Sequence, residues 1–89
     1  MAKLNKLNYK KCHFIPAKLE EGIFYHSPKF HVAIHLCACG CRNETVTPLD
    51  QGCWTLNEAE FTLDPSIGNY QFPCRSHYFI RQGKVEWLE

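Results

Sequence analysis

Residues 35–41 read HLCACGC, a histidine and three cysteines within seven positions, and a further cysteine, Cys74, stands in the downstream run TLDPSIGNYQFPCRSHY, residues 62–78. In a chain of 89 residues this clustering constrains the fold more than any other feature. A domain so short lies near the lower end of what a hydrophobic core holds together unaided, and commonly needs a staple. Disulfides, a metal clip and a reactive nucleophile compete for the sulfur. The compartment separates them. The N-terminus lacks the apolar core of a signal peptide, and no apolar stretch approaches the ~20 residues that cross a bilayer. A cytoplasmic protein without membrane contact is expected. Thiols stay reduced there, so clustered cysteines point to metal or catalysis before disulfides.

In an extended strand His35, Cys37 and Cys39 point the same way, and Gly40 permits the turn that brings Cys41 back toward them. Structural zinc sites gather four such ligands around one ion at about 2.3 Å for sulfur. Cys74 is the natural fourth, which makes Cys37, Cys39, Cys41 and Cys74 the expected ligand set, with His35 as a substitute for one of them. The alternative is a group of small buried thiols around a core histidine. Cys12 and Cys53 have no partner at ligand spacing and read as isolated thiols. A metal here would be structural, because zinc in small sites supplies ~10 kcal/mol or more of apparent folding free energy.

The rest of the chain carries strand signals. Phe30, Val32, Ile34 and Leu36 alternate with His31, Ala33, His35 and Cys37, the period of a strand with one apolar and one chemically varied face. TVTPL (45–49) reads as a short strand, and CWTLNEAEFTL (53–63) as a hairpin turning at Asn57-Glu58. SHYFIRQGKVEWL (76–88) reads as a hairpin across Gln82-Gly83, where glycine tolerates positive φ. One helical turn is expected at PAKLEEG (16–22). The expected fold is mostly β: a small single antiparallel domain of about five to seven strands with a structural zinc site, its loops at 38–44 and 64–76. Residues 1–13, with four lysines and no acid in the first eleven, read as a flexible segment ahead of a zinc-stapled domain over 14–89. A net charge of +1 provides no electrostatic footprint for nucleic acid.

Ser66, between Pro65 and Ile67-Gly68-Asn69, is a candidate nucleophile, and His77 a candidate base should the 64–76 loop fold back. A nucleophilic serine needs a positioned base and N–H donors for the oxyanion. The plainer reading makes Ser66 a turn or cap residue and His77 a surface or zinc-flanking one. His35 is a second possible base. Asp64, Asp50 and a backbone carbonyl are all possible orienters of His77. Ser76 is a competing hydroxyl, but alternation along a strand turns it away from His77.

HLCACGCRNETVTPL, Trp54, TLDPSIGNYQFPCRSHYFI and the closing GKVEW, together and in this order, resemble the BubE family. These are small bacterial zinc-containing serine peptidases from operons of ubiquitin-like conjugation (Bub) enzymes, formerly a domain of unknown function. The likeness runs from about Phe14 to Trp87. It implies a deubiquitinase-like peptidase that processes the precursor of a ubiquitin-like protein or releases that protein from its conjugates. The operon's activating and conjugating enzymes would be further partners. Ser66 then looks like the nucleophile, His77 its base, and Cys37, Cys39, Cys41 and Cys74 the zinc set, with amides of Ile67, Gly68 and Asn69 around the oxyanion. The family pattern has glycine after the last cysteine of the cluster, where this chain has Arg42. Two other functions compete with this one. One is a zinc-stapled binding module that docks a partner without chemistry. The other is a metal hydrolase, disfavoured because catalytic zinc usually keeps nitrogen or carboxylate ligands and a water.

Overall fold

The computed structural model describes residues 3–88 and arranges them as eight strands in two four-stranded sheets. The first sheet has the order β1-β2-β3-β4, formed by Asn8–Lys11, Ile23–Ser27, Val32–Leu36 and Glu44–Pro48. The second has the order β5-β6-β7-β8, formed by Thr55–Asn57, Thr62–Asn69, Ser76–Arg81 and Lys84–Trp87. All neighbours pair antiparallel except β1 and β2. A single 3₁₀ turn, Pro28–Phe30, joins β2 to β3. Segment 16–22 forms bends and a turn instead of the expected helical turn. No helix among the described residues is long and apolar enough to cross a membrane.

The two sheets share one core. Phe24 and Ala33 of the first sheet pack in a cluster with Leu63, Ile67, Tyr78, Ile80 and Val85 of the second. Along β3 and just past its end, the core side carries Ala33, His35 and Cys37, all essentially inaccessible. The residues of the apolar face, Ile34 and Leu36, lie on the other side with Leu19, Tyr25, Cys12, Ile15 and Ile23, under the chain that leads from β1 to β2. Alternation therefore identified the strand, but both of its faces are covered.

From Lys3 onward the lysine-rich start packs and pairs within the fold, where a flexible segment was expected. Leu7 is buried, the Leu4 amide donates to the Ala38 carbonyl (2.8 Å), and the Val85 amide donates to the Asn5 carbonyl (2.8 Å). Lys6 bridges Lys84 before the chain crosses to pair as β1 with β2. Its lysines hide this role because they point outward, Lys3 over the Trp87 ring and Lys11 to Glu58, while Leu4, Leu7 and Tyr9 pack inward. This segment accounts for the eighth strand, above the expected five to seven.

The β7–β8 hairpin turns at Gln82 and Gly83, both with positive φ (52° and 76°), as a two-residue turn between twisted strands requires. The β5–β6 hairpin is looser than expected, its turn spanning residues 58–61. β6 is long and irregular. Leu63 faces Ile80 and Ile67 faces Tyr78, so Asp64, Pro65 and Ser66 together oppose the single residue Phe79. Proline donates nothing to a ladder and is tolerated at such a bulge.

Candidate active site and cysteine cluster

Ser66 sits in this bulge on β6, not in a loop as expected, and the loop proper is residues 70–75. The extra residues shift the ladder, so that Gly68 lies directly across from His77 of β7 and Ser66 stands beside that pair. Ser66 Oγ lies 2.9 Å from His77 Nε2, within the range for transfer of a proton. Both side chains are half-buried. The Trp54 indole N–H donates to the Ser66 carbonyl (3.4 Å) and ties the bulge to the start of β5.

The other ring nitrogen of His77 has a partner absent from the sequence candidates. His77 Nδ1 lies 2.8 Å from Tyr70 Oη. Asp64 is exposed, and Asp50 lines a separate groove with His26, His31 and Trp54. Tyr70 reaches back over its own strand, and Gly68 makes that path possible: a Cβ on Gly68 would lie 2.7 Å from Tyr70 Cε2. The Arg75 guanidinium covers the ring at 5.7 Å from its centroid, within cation–π range. The sequence signal, had it been legible, was a bare glycine two residues before an aromatic next to the serine.

The three amides considered for an oxyanion are not equivalent. The Leu88 amide donates to the His77 carbonyl (2.8 Å), so the backbone of His77 faces β8. Antiparallel ladders alternate, so the amides of Ile67 and Asn69 face β7 and that of Gly68 faces away from it. Beyond Asp64, β5 supplies no partner on that side. Of the three, the Gly68 amide is the one the ladder leaves free.

One step along the ladder, the pair Asn69 and Ser76 projects to the opposite face, toward sulfur. Cys37, Cys39, Cys41 and Cys74 place their Sγ atoms all within 4.8 Å of one another. Individual separations are 3.6 Å for Cys37–Cys39, 3.8 Å for Cys37–Cys74 and 3.7 Å for Cys41–Cys74. Four sulfurs about 2.3 Å from one ion form a tetrahedron with edges of about 3.8 Å, so the quartet fits a tetrahedral thiophilic metal. Polar hydrogens face three of the sulfurs: Asn69 Nδ2–H to Cys37, Asn43 Nδ2–H to Cys41 and the Ser76 hydroxyl to Cys74, each 3.3 Å. Burial pushes the Cys74 thiol up, but the Ser76 hydroxyl and amide with Cys39 and Cys41 outweigh it and bring the thiol down to about 7.

The turn that forms this cluster is closed by the Cys37 amide to the Asn43 carbonyl (2.8 Å), with Gly40 at φ 93°. Arg42 adopts φ 67°, a left-handed backbone that favours glycine. His35 is no substitute ligand. Its Nε2 shares a 2.7 Å hydrogen bond with Tyr78 Oη and it stands outside the group of close sulfurs; burial lowers its pKa to about 4. Fully buried and hydrogen-bonded to Tyr78, it does not meet Ser66, whose partner is His77. Cys12 and Cys53 stand outside the quartet, as their spacing implied.

No curated protein and no solved structure matches the chain. A family model does: that of the bacterial ubiquitination-like system serine protease, BubE, matches residues 11–88, nearly the whole length. With that extent of agreement, the chain belongs to the BubE family.

Proposed function

We propose that this protein is a serine peptidase acting on a ubiquitin-like protein, either its precursor or its conjugates, through an acyl-enzyme on Ser66. The observation that carries the reading is the 2.9 Å approach of Ser66 Oγ to His77 Nε2, eleven residues apart in the chain and brought together by the bulge. A docking module without chemistry gives no reason for that pairing. Membership in a family described as serine proteases of a ubiquitination-like system supports the substrate class.

In the proposed reaction, His77 Nε2 takes the Ser66 proton as Oγ bonds to the carbonyl carbon at the modifier's C-terminus. The free Gly68 amide donates to the oxygen that gains charge. The imidazolium returns the proton to the leaving amine as the C–N bond breaks, and water, deprotonated by the same nitrogen, then releases the acid. The unpaired side of β6 around Gly68 suits an extended tail that adds as a strand. Cys37, Cys39, Cys41 and Cys74 would hold zinc, whose chemistry here is to cross-link the turn after β3 to the start of β7. Sulfur committed in that way is not available as the nucleophile, so the attack falls to a hydroxyl.

Ser66→Ala is expected to abolish cleavage of a ubiquitin-like precursor while metal content and the unfolding transition stay unchanged. A fluorophosphonate is expected to label Ser66. Full cleavage by the alanine variant, or labelling of a cysteine, overturns the proposal.

A further inference from the structure

Every serine–histidine pair needs its imidazole held with the proton on the nitrogen away from the serine. Asp64, Asp50 and a backbone carbonyl were the candidates for that task, and His77 Nδ1 meets Tyr70 Oη instead. We infer that Tyr70 is the positioning residue of His77: its phenolic oxygen accepts from Nδ1–H, leaving Nε2 free to take the Ser66 proton, and Gly68 is side-chain-free so that the Tyr70 ring can reach that nitrogen. The inference rests on the peptidase reading of the same site.

Four observations carry it. Tyr70 Oη and Ser66 Oγ lie on opposite nitrogens of one ring, at 2.8 and 2.9 Å, so His77 is bracketed by two hydroxyls. The Tyr70 and His77 rings are tilted by 60° with centroids 5.5 Å apart, which constrains the imidazole plane as well as its proton. The Tyr70 ring occupies the space over Gly68 so closely that a methyl group there would displace it. Arg75 caps the outer face of the ring. Tyr70 is otherwise 51% exposed, with no core to hold it in place, so its position depends on these contacts.

A hydroxyl differs from a carboxylate in one respect that matters for chemistry. It carries no charge to stabilise the imidazolium, and it can donate as well as accept. Tyr70 therefore steers the ring more weakly than an aspartate does in a serine triad, where replacing the acid by an amide costs about 10⁴-fold in kcat. Losing a neutral acceptor for the imidazolium N–H is expected to cost about 10- to 100-fold.

The test uses the full chain. Long-range ¹H–¹⁵N NMR reads the His77 tautomer directly, without turnover, in the wild type and in Tyr70→Phe. The expected result is Nδ1–H in the wild type and a mixture, or Nε2–H, in the variant. Cleavage of a ubiquitin-like precursor by Tyr70→Phe should then fall about 10- to 100-fold in kcat with KM within about twofold. Gly68→Ala, which keeps the backbone amide and displaces the ring, should lower kcat to a similar degree, and the double variant should be no worse than the more impaired single. An unchanged tautomer in Tyr70→Phe, an unchanged kcat, or losses that multiply in the double variant each overturn the role given to Tyr70. If the wild type neither cleaves nor labels at Ser66, the peptidase reading fails, and the NMR result still decides whether Tyr70 sets the His77 tautomer.

Discussion

Tyr78→Phe should destabilise the domain severely although it deletes a single oxygen. Tyr78 is fully buried, with its Oη 2.7 Å from His35 Nε2 and 3.4 Å from the Ala38 amide that donates to it. His35 is equally buried, and its Nδ1 already lacks a hydrogen-bond partner. Phenylalanine keeps the ring packing against Trp87, whose centroid lies 4.9 Å away, so little packing is lost. What the change leaves is an imidazole with neither nitrogen satisfied and a backbone amide without its acceptor. Each unsatisfied buried polar group costs about 1–3 kcal/mol, and the long Ala38 contact adds less, for a total of about 2–3 kcal/mol. Scaled at about 0.05–0.15 kcal/mol per residue, the whole domain holds about 4–13 kcal/mol. The loss is then a large share and corresponds to a fall in Tm of about 10–20 °C. Urea unfolding should show the midpoint moving with the slope unchanged. His35→Leu combined with Tyr78→Phe removes both ends of the contact, so the double variant should be more stable than the sum of the single losses implies, with a coupling of about 1 kcal/mol or more. A loss below about 0.5 kcal/mol, or simple additivity, would refute the reasoning that the buried pair is a matched donor and acceptor.

Two further outcomes test how the fold supports the site. Ser76→Ala removes the hydroxyl facing Cys74 Sγ, and zinc affinity measured against a chromophoric chelator should fall about 10- to 100-fold, as for other groups that orient metal ligands; unchanged affinity would mean that the hydroxyl plays no part in holding the thiolate. Trp54→Phe removes the indole donor to the Ser66 carbonyl at 3.4 Å, so stability should change by less than about 1 kcal/mol while kcat drops severalfold because the bulge is less fixed; a wild-type kcat would show that the bulge holds itself.

The sulfur quartet and the Ser66–His77 pair lie on opposite faces of β6 and β7. The pair Asn69 and Ser76 directs its polar atoms to Cys37 and Cys74, and the adjacent pair Gly68 and His77 lies on the Ser66 side. Alternation along a strand makes this arrangement economical, because one register positions both. It also means that disturbing the sulfur quartet acts on the ladder that aims His77.

Much of this was legible from short-range sequence. The spacing of Cys37, Cys39 and Cys41 about Gly40 required a tight turn whatever the rest of the fold, and Gln82-Gly83 allowed few alternatives to a two-residue hairpin. The alternation from Val32 to Leu36 pointed to a strand, while Ser66 between Pro65 and Gly68, and His77 at the start of the last hairpin, were candidates that spacing left open beside a turn residue and a surface one. Which face of a strand is interior is a different question. Ile34 and Leu36 are covered by the segment between β1 and β2, whereas His35, despite its polarity, lies inside because Tyr78 from the other sheet meets its nitrogen. The lysine-rich start likewise became a strand only through partners at Gly22, Ala38 and Gly83. Tyr70 at His77 Nδ1 depends on the bulge of β6, where three residues oppose one and so set the cross-strand register. Local dihedral preferences and side-chain period are properties of neighbouring residues and can be read along the chain. Register, face and the meeting of distant side chains are set by which strands pair, and only the assembled sheets fix that.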